Sequence, residues 1–253
     1  MKKELKGFKM QRYFIKNDSH KDGVIQSTDN MIRHMKKVLR YSNGDQVICV
    51  DENANVYLCT IADIDKGILI REKGLQEYNE LDVDVTLVYG LPKGDKFEFI
   101  LQKATELGVK RIVPLRTKRS IIRIDDKRFL KKYERYNRII TEACEQCERE
   151  TKPILEPLTV ISKLGQYRSD VNLVAYEESS REGEKSVLKK ALDRIKTSIT
   201  IVVGPEGGFD PLEIKEMNKL GFESCSLGKR ILRTETAPLY MLSVIGFERE
   251  LSK

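Results

Sequence analysis

SITIVVGPEGGFDPLEIKEMNKLG (Ser198–Gly221) runs an apolar, β-branched segment into a proline and three glycines, then into a helical pattern. The helix is strongly punctuated. Asp210 suits the N-cap, Pro211 the first helical position, and Glu213 stands at the capping-box spacing. Gly221 supplies the left-handed residue that closes it. A strand, a glycine loop and a helix in this order place the loop beyond the carboxyl end of a strand, where parallel α/β sheets bind ligands. The usual phosphate motifs are absent. A Walker A loop ends in Gly-Lys-Ser/Thr, and a dinucleotide loop reads G-x-G-x-x-G; GPEGGFD is neither. Glu206 and Asp210 also put negative charge where a phosphate would approach. The loop therefore suits a neutral or cationic ligand such as an adenine edge, a ribose or a sulfonium. A tight structural turn is the alternative for GPEGG alone.

A second loop follows the next strand: SLGKRILRTETAP, Ser226–Pro238. Gly228 lets backbone come close, Ile231 and Leu232 are apolar in a polar loop, and Thr236 is placed to cap the last helix with Pro238 in its first turn. Two such loops at neighbouring strand ends form one composite site, with an apolar pair to line a flat pocket.

Outward from these loops, the chain from about residue 82 alternates strand and helix. VDVTLVYGL, VKRIVPL, VNLVAY and SITIVV read as strands. Helices fall in GDKFEFILQKATELG, over Lys127–Glu148, near Glu184–Lys196, and from Ala237. Such alternation predicts a mostly parallel sheet covered by helices. The first 75 residues or so have another texture. RYFI, DQVICVD, NVYLCTIADI and GILIRE read as short strands, Asp51–Asn55 as a hairpin turn, and Thr28–Leu39 as one helix. A small β-barrel domain over 1–75, a linker KGLQEYNELD and an α/β domain over 82–253 follow.

The 253 residues are 40% hydrophobic and 34% charged, as in an ordinary globular protein. The N-terminus lacks the apolar core of a secretory signal, and no apolar run approaches membrane-spanning length, so no membrane is expected and the cytoplasm is the default. Five cysteines suggest no disulfide framework. Cys144 and Cys147 form a C-x-x-C within a helical run, with no second pair and only His20 and His34 to add, so no metal site is expected. Lys plus Arg is 46 against 39 acids, a net charge of +7, which suits a nucleic-acid partner without requiring one.

IVVGPEGGFDPLEI followed by SLGKRILRTETAPLYMLSVI resembles the C-terminal signature of the SPOUT-class RNA methyltransferases of the RsmE type. QRYFI and HMKKVLR resemble that family's PUA-like RNA-binding domain. GLPKGDKFEFILQKATELGVKRIVPLRTKRS and RIITEACEQCERETKPIL resemble its central blocks, so the likeness spans nearly the whole chain. It implies a SPOUT-type knotted parallel-sheet domain joined to a PUA-like β-barrel, and a homodimer packed through the knot loops and last helix. It implies S-adenosylmethionine as cofactor and, as substrate, N3 of a uridine (uracil 1498) in the 16S rRNA of the small ribosomal subunit. Gly204, Pro205, Glu206, Gly207 and Gly208 match the first cofactor loop. Leu227, Gly228, Ile231, Leu232, Arg233, Thr234, Thr236 and Ala237 match the second. Cys147 stands where serine is commoner in the family, and Thr234 where alanine is.

Transfer to uracil N3 needs an unpaired base and the loss of its proton. Glu142, Glu145 and Arg149 recur at helical spacing, and Arg149 with Glu145 are the catalytic candidates; a solvated salt-bridge stripe is the plain alternative. Arg233 and Arg12 are alternatives for the base or its phosphates, and Glu206 for fixing its own loop through backbone amides. RNA contacts are expected from Arg12, Tyr13, Arg33, His34 and Arg40, with Lys36 and Lys37 beside them. Lys93, Lys96, Lys118 and Arg119, with Arg116, add basic charge at strand ends. Two other functions fit the same features: a related SPOUT enzyme acting on another rRNA or tRNA position, and a ribosome-assembly factor without catalysis.

Overall fold

The structure, a computed structural model, describes residues 10–120, 126–178 and 186–252. Two compact units divide the chain: Met1–Glu80 with Cys144–Thr151, and Leu81–Ala143 with Lys152–Lys253.

The first unit holds β1 (Arg12–Phe14), β2 (His20–Lys21), β3 (Val24–Gln26), β4 (Gln46–Val50), β5 (Val56–Asp63) and β6 (Ile68–Leu75). They form one sheet in the order β1-β4-β5-β6-β3-β2, curled as a half-barrel. β1 joins β4 in parallel and the other pairs are antiparallel. Ile25, Val47, Cys49, Cys59, Ile61 and Leu69 point inward and are closed over by Met31 and Met35. Met31 belongs to α1 (Asp29–Arg33), which Thr28 caps by accepting from the Met31 amide, and Met35 to the turn that follows it. A π-helical turn over His34–Val38 continues it, so the expected helix is present with a wider second half. The hairpin turn also forms where Asn and Asp predicted it. Asp51 accepts hydrogen bonds from the Asn53 and Asn55 amides and from the Tyr57 hydroxyl, each at 2.9 Å.

The expected linker is more than a connection. Its first three residues complete β6, and two of its acids hold buried arginines. Glu77 pairs with Arg12, and Glu80 with Arg149.

In the second unit the elements are β7 (Asp84–Gly90), α2 (Lys96–Glu106), β8 (Arg111–Arg116), α3 (Asp126–Cys147), β9 (Ile154–Leu155), β10 (Thr159–Val160), β11 (Val171–Ala175), α4 (Val187–Leu192), β12 (Ser198–Val203), α5 (Pro211–Lys219), β13 (Glu223–Cys225) and α6 (Thr236–Gly246). The sheet runs β10-β8-β7-β12-β11-β13, with β9 also on β8, and every pairing is parallel. β12 is buried from Ile199 to Val203, as expected of a strand covered on both faces. Phe97 of α2 packs on Tyr89 at the end of β7 and on Phe129 and Tyr136 of α3, with ring centroids 6.3, 6.3 and 5.0 Å apart.

Two expectations are refined. Thr236 is the first helical residue of α6 rather than its cap; Glu235 holds the cap position and makes no side-chain capping bond. The helix expected from Glu184 is described only from Val187, its start lying outside the described residues. Cys144 and Cys147 both lie in α3 and neither is in a disulfide, the plain reading of C-x-x-C. The last turn of α3 and the residues up to Thr151 count with the first unit, so Glu145 and Arg149 belong there.

Candidate functional site

The capping box at α5 forms as the sequence predicts. Asp210 accepts from the Leu212 amide and Glu213 from the Asp210 amide, both at 2.9 Å. Glu213 does a second job unseen in the sequence: its other oxygen accepts from the Lys118 amide at 2.7 Å, fastening the loop after β8 to the start of α5. The first glycine loop is thus held on both sides.

Its glycines serve different ends. Gly208 (φ +62°) needs the left-handed conformation, and no atom lies within 4 Å of where a Cβ would stand. Gly228 (φ +103°) of the second loop has the same two properties. At these two points backbone free of side chain faces open space, which fits a ligand recognised by main-chain groups. Beside it Ile231 is 70% exposed, an apolar side chain left uncovered.

The second loop comes back to the first although β11 separates their strands in the sheet. The Thr234 hydroxyl donates to the Gly204 carbonyl at 2.7 Å. A carbonyl only accepts, so the single hydroxyl proton of Thr234 is spent there, and the Tyr89 hydroxyl, 3.2 Å away, must donate to Thr234. Burial pushes the Tyr89 phenol well above its ordinary pKa, which keeps that proton in place. Tyr89 was not legible as a site residue, because nothing local marks a strand tyrosine as the partner of a threonine far along the chain. Thr234→Val, isosteric but without the hydroxyl, leaves the buried Tyr89 hydroxyl and Gly204 carbonyl unpaired. It is expected to lower stability by about 1–3 kcal/mol, read from urea denaturation.

The Glu206 side chain is engaged with the loop before α2 and the start of that helix. Its carboxylate accepts from the Lys93 amide at 3.1 and 3.4 Å and from the Lys96 ammonium at 3.1 Å. Partial burial pushes its pKa up, but its own backbone amide, Lys96 and the Lys93 amide outweigh this and hold it below the ordinary carboxylate value. Asp210 lies 3.7 Å from Lys118 Nζ and 4.0 Å from Arg119. The acids that argued against phosphate are therefore countered by cations, and the motif argument alone carries that exclusion. Glu206 fixing its loop through a backbone amide is the arrangement found, with the amide supplied by the loop before α2.

The remaining candidates divide by exposure. Leu227 and Leu232 are half-buried, Arg233 is exposed, Pro205 and Ala237 are buried, and the Arg233 carbonyl accepts from the Thr236 and Ala237 amides. Gly207 sits against Arg119, whose guanidinium donates to its carbonyl at 3.4 Å. Lys93, Lys118 and Arg119 are exposed in the second unit, as are Arg33 and Arg40 in the first, where phosphate can reach them. Arg12 and Tyr13 are not: both are 3% exposed. Arg12 is taken by Glu77 and also donates to the Arg149 carbonyl at 3.2 Å, while the Tyr13 hydroxyl lies 2.9 Å from His34 Nδ1. This revises the expectation that Arg12 and Tyr13 offer charge and ring to RNA. Arg149 is likewise 3% exposed and turns its fork to Glu80, with contacts of 2.6, 3.1 and 3.2 Å. Glu145, half-buried in the last turn of α3, adds negative charge that helps raise the Tyr13 pKa, after burial itself. A cavity of about 250 Å³ lies in the first unit beside Tyr57, Leu75 and Tyr78, and contains none of the expected cofactor residues. Among the described residues no cluster of His, Cys, Asp and Glu could hold a metal ion, and no helix is long and apolar enough to cross a membrane.

A parallel α/β unit whose strand-end loops leave bare backbone open, with a small β unit rich in exposed basic residues, defines the class: an enzyme-type ligand site paired with an RNA-binding type of module. The chain belongs to the RNA methyltransferase family. A family model described as an RNA methyltransferase domain matches residues 79–246, and one described as an RNA methyltransferase PUA domain matches residues 28–72. The ribosomal RNA small subunit methyltransferase E of Bacillus subtilis (strain 168) is 38% identical over 251 residues, covering 96% of this chain and 98% of the relative. The protein of that name from Synechocystis sp. is 33% identical, covering 89% of this chain and 73% of the relative. The crystal structure of a ribosomal RNA small subunit methyltransferase E from Neisseria gonorrhoeae bound to S-adenosyl methionine superposes with a TM-score of 0.80 at 26% identity. It covers 93% of this chain and 96% of that one.

Proposed function

We propose that this chain is an S-adenosylmethionine-dependent methyltransferase of the 16S rRNA of the small ribosomal subunit, acting on N3 of a uridine at the position the family resemblance implies, uracil 1498. The observation that carries the reading is the 38% identity, over nearly the full length of both chains, to a protein named for small-subunit rRNA methylation. Open backbone at Gly208 and Gly228, and exposed Ile231, fit the cofactor: main-chain groups for its polar edges and an apolar side chain for its ring. When bound, the cofactor supplies an electrophilic methyl group on a sulfonium.

The chain's own part is alignment and exclusion of water. Gly204, Pro205, Glu206, Gly207 and Gly208 form one wall. Leu227, Gly228, Ile231, Leu232, Arg233, Thr234, Thr236 and Ala237 form the other, and the Thr234–Gly204 hydrogen bond sets their spacing. Arg33, Arg40, Lys93, Lys118 and Arg119 hold phosphates, which positions the RNA more than it reads sequence. The return of the second loop to the first, across β11, supports the knotted arrangement that the resemblance implies. Tyr240, Phe247 and Leu251, exposed along α6 and the turn after it, suit a homodimer contact. The cytoplasm, where ribosomes are assembled, is the assigned location.

Deletion of the gene is expected to remove 3-methyluridine from 16S rRNA, and this chain to restore it, as read by mass spectrometry of digested nucleosides. Persistence of the nucleoside in the deletion strain would overturn the substrate assignment. A methylated nucleoside lost from another RNA would redirect it.

A further inference from the structure

We propose that Lys96 is a positioning residue that joins the two cofactor loops into one site, a role distinct from the RNA contact its place in the sequence suggested. The proposal rests on the reading that those loops take S-adenosylmethionine. Lys96 opens α2, and its ammonium lies 3.1 Å from Glu206 Oε1 in the first loop and 3.2 Å from Glu235 Oε2 at the end of the second. The sheet does not impose this meeting, since β11 lies between the strands that feed the two loops.

Glu235 is placed for another task that it does not perform. It holds the cap position of α6 but makes no capping hydrogen bond with its side chain. Glu206 reaches the Lys93 amide and Lys96. Two carboxylates from different loops thus converge on one ammonium at the start of α2. Both raise the Lys96 pKa, Glu206 first, so the ammonium stays charged. Remove it, and the carboxylates become neighbouring like charges that push the loops apart. The three side chains are 36, 24 and 21% exposed, so solvent screens the cluster and its worth to global stability is small. Its effect falls on loop placement instead, and a site built of backbone amides tolerates little misplacement.

The experiment is calorimetric titration of S-adenosylmethionine into the full-length wild type, Lys96→Arg, Lys96→Met and the double variant Lys96→Met with Glu235→Gln. Lys96→Met is expected to weaken binding about tenfold, the scale of one charge-assisted hydrogen bond. Its melting temperature should move by no more than about 4 °C. Lys96→Arg should bind nearly as the wild type does. The double variant should recover part of the loss, because the surviving like charge is gone; a merely structural lysine would give no such recovery. Wild-type affinity in Lys96→Met overturns the proposal, and if that variant loses only RNA affinity, Lys96 is a phosphate contact after all. Equal weakening in the single and double variants also overturns it, even if both melt lower. No binding by the folded wild type would instead sink the cofactor reading on which the proposal stands.

Discussion

Replacing Arg149 by alanine is expected to destabilise the first unit by about 3 kcal/mol, the low end for breaking a buried ion pair from one side. The Arg149 side chain is 4% exposed and its partner Glu80 is 24% exposed, so water reaches the carboxylate left behind and moderates the cost. The loss goes beyond one pair. Glu80 Oε1 also accepts from the Glu150 and Thr151 amides at 3.0 Å each, so the arginine anchors the acid that organises the chain after α3. Lysine is not expected to substitute, because one ammonium cannot reproduce the guanidinium fork. Urea denaturation of wild type, Arg149→Ala and Arg149→Lys measures this. A loss below about 1 kcal/mol would place the pair with ordinary surface bridges. Full stability with abolished methylation would instead make Arg149 catalytic.

The same pair sets a pH dependence. Burial works to raise the Glu80 pKa, but the Arg149 side chain and the Thr151 groups outweigh it and leave the folded value below the unfolded one. A depressed carboxylate contributes stability that is present above its unfolded pKa, about 4.3, and is lost as pH falls through the folded value. The stability gap between wild type and Arg149→Ala should therefore be constant near neutrality and close in acid. A gap that stays open well below pH 4 would contradict the assigned cause.

Gly90→Ala is expected to cost more in function than in stability. A Cβ at Gly90 would stand 2.5 Å from Pro205 Cδ, 2.7 Å from Pro205 N and 3.0 Å from the Gly204 carbonyl carbon. These are ring and main-chain atoms that cannot rotate aside, so the first glycine loop must shift. Overpacking of this kind typically costs about 1–3 kcal/mol. The displaced loop carries the Gly204 carbonyl that Thr234 holds, so both walls of the site move. Affinity for S-adenosylmethionine should fall by more than about tenfold, as expected when positioning rather than contact is lost. Binding within twofold of wild type would show that the loop adapts and that the close approach is incidental.

The parts legible in the sequence were those whose partners lie within a few residues. Asp210, Pro211 and Glu213 announce α5 because a capping box spans three positions, and Asp51–Asn55 announces its turn because the acceptor and its donors are almost adjacent. The parallel sheet was legible through alternation of strand and helix, a pattern each element carries in itself. By contrast, Lys96 meets Glu206 across 110 residues and Thr234 meets Tyr89 across 145. No local rule connects such pairs, which is why neither the Lys96–Glu206 nor the Thr234–Tyr89 contact was legible. The burial of Arg12 and Arg149 was hidden for the same reason: an arginine looks alike in sequence whether solvent or a distant glutamate receives it.

The sequence by itself determined the strand–loop–helix grammar and, through motif resemblance, the family. Periodicity, capping and turn chemistry are local, and each is worth enough to declare itself. Only the tertiary structure decided which charges are spent and which remain for partners. Ion pairs and hydroxyl relays depend on strand order and on the return of the second loop across β11. In GPEGG, Glu206 fastens its loop to the one before α2, and among the three glycines it is Gly208 that stays open.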